Sequence, residues 1–326
     1  MRRREFIAAL GGAAIVPFAA QAQGAPRRVA VLMATRETDP EGQARLKAFL
    51  QGFQQRGWVD GRNAAITVRW SGGSLEQTRE IAAEFVALKP DVIVVNSTTG
   101  IAEMKRATAS IPTIFVLVNE PVAQGFIASM SRPGGNITGF TMVDFSMVGK
   151  SVEMLKTIAP AVTRAGLMFN PRTYPYYDTY LQQFQAEAKS PVEVFRAAVD
   201  SVAEIETTIA TLGAQPGTGL VVPPDPFTVA NRGVIRAAVT KARLPHIFHF
   251  RQFVREGALI SYGPDTTDVF RRSAEYADRV LKGENPAELP AQAPNKFELA
   301  INLKTAKALG LDVPPALLAT ADEVIE

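Results

Sequence analysis

Residues 91–118, "DVIVVNSTTGIAEMKRATASIPTIFVLV", contain a complete strand–helix–strand unit. The apolar runs at 91–95 and 113–118 are rich in β-branched residues, as the buried strands of a parallel sheet are. Between them, a hydroxyl-rich loop at 96–100 leads into a helical segment. A strand, a helix and a second strand in this order predict a βαβ unit of an open α/β sheet.

The same alternation extends over the rest of the chain. Strands are predicted at 28–33 and 65–70, and the helix between them carries its apolar face on Leu46, Phe49, Leu50 and Phe53. Further strands are predicted at 165–169, 192–195, 219–222, 246–248 and 258–262. For a chain of 326 residues, this order predicts two α/β lobes, each built on a doubly wound parallel sheet.

The first 22 residues resemble an export signal rather than part of the fold. They combine a basic head, an apolar run from Phe6 to Ala20 and a small-residue cleavage site ending at Ala22. Residues 3–7, "RREFI", resemble the twin-arginine export motif, and a plain secretory signal is the alternative. We therefore expect a mature protein in the bacterial periplasm, cleaved near Ala22.

Cysteine content and charge narrow the possible partners. The chain has no cysteine, which excludes disulfides, thiol catalysis and an N-terminal lipid anchor on cysteine. Cleavage of the signal removes three arginines and one glutamate, so the formal net charge falls from +3 to +1. A mature protein with balanced charge and no long apolar segment is expected to bind neither nucleic acid nor membrane.

In open α/β sheets, ligands bind beyond the carboxyl ends of the strands. In the first predicted lobe, this rule selects the loops at 34–39, 96–100 and 119–121; in the second, it selects those at 170–177, 223–227 and 249–253. The candidate ligand-binding residues in these loops are Thr35, Arg36, Ser97, Thr98, Thr99, Asn119, Glu120, Asn170, Tyr174, Asp225, Phe227 and Phe250.

The chemistry of these loops suits a small charged ligand. Hydroxyls and backbone N–H groups at the helix start after Asn96 favour a carboxylate, although ordinary N-capping is the alternative. Glu120 and Asp225 stand beside prolines and could pair with a ligand ammonium, or else serve as turn and cap residues. The tyrosines at 174, 176 and 177 are predicted to lie in one loop, where they could sandwich an aromatic ligand or pack the lobe. Arg36 and Arg251 could hold a carboxylate, or else be solvated.

No catalytic or metal-binding constellation is recognisable in the sequence. The chain has two histidines, His246 and His249, whose spacing across a strand end is poor metal geometry. It has no nucleophile elbow, no zinc-protease helix motif and no phosphate-loop lysine. The sequence therefore favours a binding protein without metal or cofactor over an enzyme.

Four stretches carry a family resemblance. They are residues 91–115, "EPVAQGFIASMSRPGGNITGFT" at 120–141, "LPHIFHFRQFVREGALISYGPD" at 244–265, and residues 270–326, which include "INLKTAKALGL". The chain is similar to substrate-binding proteins of ABC transporters, in the branch that includes tryptophan- and tyrosine-binding members. The resemblance implies a type I periplasmic-binding fold with two lobes joined by three crossovers. It also implies a membrane permease and its ATPase as partners of a monomeric receptor.

This fold class implies a division of the chain and a hinge. We expect the first lobe to contain residues 27–142 and about 264–296, and the second to contain residues 143–263 and about 297–326. The turn and β-prone stretch "RPGGNITGFT" at 132–141 would lead into the first crossover. The predicted hinge residues are Gly134, Gly135, Gly139, Tyr262 and Gly263.

The predicted function is that of a solute receptor for an importer. Its ligand would be an amino acid or a small aromatic or carboxylated compound, held in the cleft by hinge closure. A periplasmic sensor that presents its closed form to a membrane receptor is the alternative, and a periplasmic enzyme on the same fold is less favoured.

Overall fold

The computed structural model describes residues 25–142, 146–174, 176–187 and 190–326. The predicted export signal, with its twin-arginine motif and its cleavage site, lies outside the described residues. Over the four described ranges, the structure contains no helix with the length and apolar character needed to cross a bilayer.

The amino-terminal sheet has five parallel strands in the order β2-β1-β3-β4-β5. The strands are β1 (Arg27–Met33), β2 (Ala64–Trp70), β3 (Val92–Asn96), β4 (Thr113–Val118) and β5 (Ile137–Thr141). The helices that follow its first three strands are α1 (Pro40–Gln55), α2 (Leu75–Leu88) and α3 (Thr98–Ala107). Strands β3, β4 and β5 are buried along their whole length, which explains their near-continuous apolar sequences.

The second sheet has seven strands in the order β12-β11-β10-β9-β8-β6-β7. Its strands are β6 (Arg164–Phe169), β7 (Glu193–Ala198), β8 (Thr218–Val222), β9 (His246–Phe248), β10 (Ile260–Pro264), β11 (Phe297–Asn302) and β12 (Glu323–Ile325). Taken from its other end, β7-β6-β8-β9-β10, this sheet repeats the strand order of the first sheet. All pairs in it are parallel except β10 with β11. The predicted fold class, two α/β lobes on parallel sheets, is confirmed.

Nine helices within the described ranges accompany the second sheet or return to the first. They are α4 (Ser146–Ile158), α5 (Tyr176–Glu187), α6 (Val202–Gly213), α7 (Pro226–Ala230), α8 (Arg232–Lys241), α9 (Arg251–Arg255), α10 (Thr266–Leu281), α11 (Leu303–Leu309) and α12 (Pro315–Ala319). Phe270 and Tyr276 of α10 are buried in the same core as Phe49 and Phe53 of α1, so α10 belongs to the first lobe. We use "first lobe" and "second lobe" for the two sheets with the helices that pack on them.

The chain passes between the two sheets three times, and two of the passages are bonded to each other. The first lies between β5 and α4, the second between β10 and α10, and the third leads into β11. Asp265 N donates to Lys296 O at 2.9 Å, and Lys296 Nζ lies 2.9 Å from Asp265 Oδ2.

Each sheet has apolar cores on its two faces. Val31 and Val94 face one core of the first sheet, whereas Leu32 and Val95 face the other, because neighbouring side chains of a strand point to opposite faces. The second sheet is covered in the same way. Each fully buried aliphatic or aromatic side chain contributes about 1.5–3 kcal/mol to folding, so the strands hold the loops at their ends firmly.

The structure corrects some predicted boundaries. Tyr176 and Tyr177, predicted in a loop, are the first two residues of α5, where Tyr177 packs on Phe169 with ring centroids 5.4 Å apart. The strand predicted at 192–195 extends to residue 198, and the strand predicted at 258–262 lies at 260–264. In each case packing against the sheet decides where the element begins and ends, and local residue preferences do not contain that information.

The predicted hinge residues lie in two different settings. Gly134 has a left-handed φ of 80°, and the position of a Cβ on Gly135 would meet nothing within 4 Å. By contrast, a Cβ on Gly139 would lie 2.0 Å from Phe115 O, and one on Gly263 would lie 1.8 Å from His249 O. Tyr262 stacks on Phe297 across β10 and β11. Their hinge role stays a prediction.

Candidate functional site

The strands of the first lobe are tied together where ligands of such sheets bind. Asn96, at the end of β3, accepts a hydrogen bond from Ala34 N at 3.5 Å and donates from Nδ2 to Val116 O at 3.1 Å. This buried amide thus joins the ends of β1, β3 and β4. The point between β1 and β3, where the strand order reverses, is where a crevice opens in a doubly wound sheet.

Helix α3 begins at this edge of the sheet, directly after β3. Ser97 Oγ accepts a hydrogen bond from Gly100 N at 3.1 Å, so the N-cap alternative for this loop is present in the structure. Thr98 Oγ1 accepts from Asn119 N at 3.3 Å and is thereby occupied in holding the next loop. In the first turn, the N–H groups of Thr98 and Thr99 have no helical acceptor, and they point along the positive end of the helix dipole.

Strained backbone is concentrated around the same crevice. Ser97 has a φ of 87°, Leu117 of 59° and Glu120 of 46°, all in the left-handed region that non-glycine residues avoid. The pairing of β4 with β5 also shifts register between Val116 and Val118. Each such residue costs about 1–3 kcal/mol, and strain of this kind is concentrated at functional sites. The irregular end of β4 sets the positions of Asn119 and Glu120.

Asn119 leaves one polar atom without a partner. The residue is 4% exposed, and its backbone oxygen accepts from Gln124 Nε2 at 2.7 Å. Its side-chain Oδ1 is buried and has no hydrogen-bond partner in the described part of the chain. A buried acceptor left in this state is costly unless another molecule supplies a donor.

In the second lobe, Asp225 joins the ends of two strands. Asn170 N, after β6, donates to Asp225 Oδ2 at 2.8 Å, while Thr173 Oγ1 and Phe227 N both donate to Oδ1. Asp225 is 1% exposed and caps α7, so the cap alternative is present. Its pairing with a ligand ammonium stays a prediction.

Burial and hydrogen bonds act in opposite directions on this carboxyl group. Burial raises the pKa of Asp225, and the hydrogen bonds from Thr173, Asn170 and Phe227 lower it by a smaller amount. The donors therefore stabilise the carboxylate inside the lobe without restoring its ordinary pKa.

The remaining predicted residues lie near the strand ends of the two lobes or where the lobes meet. Thr35 O accepts from Gly72 N at 3.1 Å, and Thr35 Oγ1 is buried without a hydrogen-bond partner within the described residues. Arg36 is exposed beside the same glycine. Phe227 packs on the core around β8, and the ring of Phe250 lies under the guanidinium of Arg45 at 5.6 Å.

The two lobes contact each other at the start of α1, and a charge of one lobe acts on residues of the other across the strand ends. Glu41 of α1 pairs with Arg255 of α9 at 3.4 Å, and Arg45 lies over Phe250. Glu120 of the first lobe acts electrostatically on Tyr174 and Tyr177 of the second. Sequence reasoning missed Glu41, Arg45 and Arg255, and no local signal could have found them, because each contact joins residues more than 200 positions apart.

Backbone groups bond both ring nitrogens of His246, whereas His249 is bonded through Nδ1, which lies 3.2 Å from Val222 O. His246 Nδ1 lies 2.8 Å from Leu244 O, and its Nε2 accepts from Leu259 N at 2.9 Å. Burial lowers the pKa of His246 and of His249 to about 4, and each hydrogen bond to a backbone carbonyl offsets only part of this. Among the residues the structure describes, no group of three potential metal ligands occurs.

Comparison with known proteins identifies the class. The family model for ABC transporter substrate binding proteins matches residues 29–325. The chain therefore belongs to the family of ABC transporter substrate-binding proteins.

Its relatives include proteins with named ligands. A tyrosine-binding protein of Clostridioides difficile is 27% identical over 265 residues, which cover 81% of this chain and 76% of the relative. The fold matches a structure from Vibrio cholerae with a TM-score of 0.82 at 25% identity, covering 91% of this chain and 99% of that one. It also matches an ABC domain in complex with L-Trp from Streptococcus pneumonia, with a TM-score of 0.83 at 24% identity, covering 92% and 100%.

Proposed function

We propose that this protein is the periplasmic solute receptor of an ABC importer and that its ligand is an amino acid or a small aromatic or carboxylated compound. The observation that carries this proposal is the buried, unpartnered Oδ1 of Asn119 beside the start of α3. A helix N-terminus that faces a carboxylate and an acceptor that faces an ammonium are the two partners that an α-amino acid needs. The tyrosine-binding relative supports the same class of ligand.

In this proposal, the first lobe binds the charged end of the ligand. The N–H groups of Thr98 and Thr99 would hold the carboxylate, and Asn119 Oδ1 would accept from the ammonium, with Ser97 keeping the helix start in place. Glu120 would add negative charge near the ammonium. Residues of the second lobe, Asn170, Tyr174, Asp225 and Phe227, would form the opposite wall.

Closure would couple binding to delivery. A ligand held by the first lobe favours the closed state by the extra contacts it makes to the second lobe. We infer that the lobes comprise residues 27–142 with about 264–296, and 143–263 with about 297–326, and that they rotate about the predicted hinge. The closed, liganded monomer would then bind the permease, whose ATPase drives import.

A thermal-shift screen against amino acids, aromatic acids and short carboxylates tests the proposal. A ligand at 100 times its Kd stabilises the folded state by about 2.7 kcal/mol, which is roughly 5 °C in Tm for a protein of this size. The proposal is wrong if no compound of these classes raises Tm at millimolar concentration.

A pair of variants locates the site once a ligand is known. Asn119→Leu removes the unpartnered acceptor, whereas Asn136→Leu removes an amide that bonds Ile111 O at the opposite end of the sheet. We expect Asn119→Leu to weaken an amino acid by at least about 10-fold, because an ionic hydrogen bond is worth about 1.5–3 kcal/mol. Asn136→Leu is expected to leave Kd unchanged.

A further inference from the structure

Tyr174 lies where the second lobe faces the first. Its backbone N–H donates to Asn170 O at 2.9 Å, which closes the turn that follows β6. The side chain is 2% exposed, and its ring packs on Tyr177 with centroids 4.3 Å apart and on Tyr176 at 5.9 Å. Because the ring is enclosed by the core of its own lobe, it has no face on which a ligand could stack.

The hydroxyl of Tyr174 differs from that of its neighbour. Tyr177, equally buried, donates from its hydroxyl to Pro224 O at 3.1 Å. The Tyr174 hydroxyl is buried as well, yet it has no hydrogen-bond partner over the described ranges. A buried tyrosine hydroxyl normally finds a partner, and leaving one unpaired lowers the stability of the fold.

The environment of this hydroxyl keeps it protonated. Burial is the main cause that raises the pKa of Tyr174, and the negative charges of Glu120 and Asp225 raise it further. Glu120 belongs to the first lobe and Asp225 to the second, so carboxyl groups of both lobes act on this hydroxyl. At neutral pH it is therefore an uncharged hydrogen-bond donor at the junction of the lobes.

We propose that the Tyr174 hydroxyl donates a hydrogen bond to a neutral acceptor on the ligand. The inference rests on the proposed function and narrows its ligand class. A second carboxylate on the ligand would lie near Glu120 and Asp225 and be repelled. The ligand is thus an amino acid or aromatic acid that carries a hydroxyl, carbonyl or amide oxygen, rather than a dicarboxylate.

Matched ligands and matched variants test this inference. Binding of L-tyrosine, L-phenylalanine, L-glutamine and L-glutamate is measured by calorimetry, together with any compound found by the thermal-shift screen and its analogue without the acceptor. The wild-type protein is expected to bind the member of each pair with the neutral acceptor at least about 10-fold more tightly. Tyr174→Phe should abolish that preference, since it removes only the hydroxyl, and Tyr177→Phe should keep it.

Stability of the ligand-free variants gives a second readout. Tyr174→Phe removes an unpaired hydroxyl and should unfold at the same temperature as the wild type or above it, whereas Tyr177→Phe loses a hydrogen bond and should unfold below it. A Tyr174→Phe variant that binds with unchanged preference, or that unfolds below the wild type, overturns the inference while the receptor function stands. Failure of every compound to bind the wild type instead refutes the proposed function itself.

Discussion

Arg255 of the second lobe places its NH1 3.4 Å from Oε1 of Glu41 in the first lobe, while its Nε lies 2.7 Å from Glu323 in its own lobe. The guanidinium of Arg45 lies over the ring of Phe250, one helical turn along α1 from Glu41. These contacts join the start of α1 to α9, and opening the cleft would separate them. We therefore expect them to favour closure, and one of them involves Phe250, a predicted ligand-binding residue.

Replacing Glu41 should shift the protein towards the open state. Glu41→Gln removes the cross-lobe charge pair, which is worth about 0.2–1 kcal/mol because Arg255 is 46% exposed. We expect the radius of gyration of the ligand-free protein to increase in solution scattering and ligand affinity to fall about 2- to 5-fold. High salt should reduce the difference between variant and wild type.

Glu323→Gln is the matched control, because it breaks the pair of Arg255 within the second lobe and makes the same change in charge. Its effect on the radius of gyration should be smaller than that of Glu41→Gln. Equal expansion of the two variants would contradict a role for Glu41 in closure.

Asp225→Ala should destabilise the second lobe. The change removes the cap of α7 and leaves the buried N–H of Asn170 without its acceptor. A lost cap costs about 0.5–2 kcal/mol and an unpaired buried donor about 1–3 kcal/mol, so urea denaturation should report a loss of about 2–4 kcal/mol. Asp200→Ala, which removes an acid paired with exposed Arg172, should change stability by less than about 0.5 kcal/mol.

The affinity of the same Asp225→Ala variant separates structure from ligand contact. Both carboxylate oxygens accept bonds within the lobe, so we expect most of the effect in unfolding free energy and at most about a 10-fold change in Kd. A variant as stable as the wild type but about 100-fold weaker in binding would assign Asp225 to the ligand instead.

The two buried histidines should make the protein lose stability in mild acid. Burial lowers the pKa of His246 and of His249 to about 4, whereas in the unfolded chain each has a pKa near 6.5. As the pH falls from about 6.5 to 4, the unfolded state takes up protons that the folded state does not. The free energy of unfolding should therefore fall over this window, by on the order of 3 kcal/mol per histidine, and the contribution of the histidines should stay constant below it.

His246→Gln checks this origin of the pH dependence. Removing one of the two histidine titrations should reduce the slope of unfolding free energy against pH between 6.5 and 4. The raised pKa values of Asp225 and Glu298 oppose that slope in both proteins. Asp265 acts only below that window. Burial raises its pKa, but the hydrogen bonds from Thr267 and Lys296 outweigh burial and lower the pKa to about 2. An unchanged slope in His246→Gln would show that other groups cause the acid sensitivity.

The fold was predictable because strand–helix alternation is a local signal, and the rule for strand ends then selected the loops that contain Ser97, Thr98 and Asn119. The setting of Asp225 was not predictable, since an Asp before Pro fits both a cap and a ligand contact. The cap itself is local, because Asp225 accepts from Phe227 N two positions on. The second bond of the carboxylate, from Asn170 N 55 positions away, has no local signal. The position of Tyr174 followed from the same rule, but the enclosure of its ring by Tyr176 and Tyr177 is a result of tertiary packing.

Two of the predicted hinge glycines should respond oppositely to a methyl group. At Gly139 the φ is 151°, and a Cβ would lie 2.0 Å from Phe115 O, so β4 and β5 would have to separate. Gly139→Ala should therefore cost about 3 kcal/mol or more, or prevent folding altogether. At Gly135 a Cβ meets nothing within 4 Å, and Gly135→Ala should change stability little or raise it by about 0.4–1 kcal/mol through the unfolded chain. Thermal unfolding of both variants measures the difference, and a Gly139→Ala protein as stable as Gly135→Ala would show that the two strands are not held at this separation.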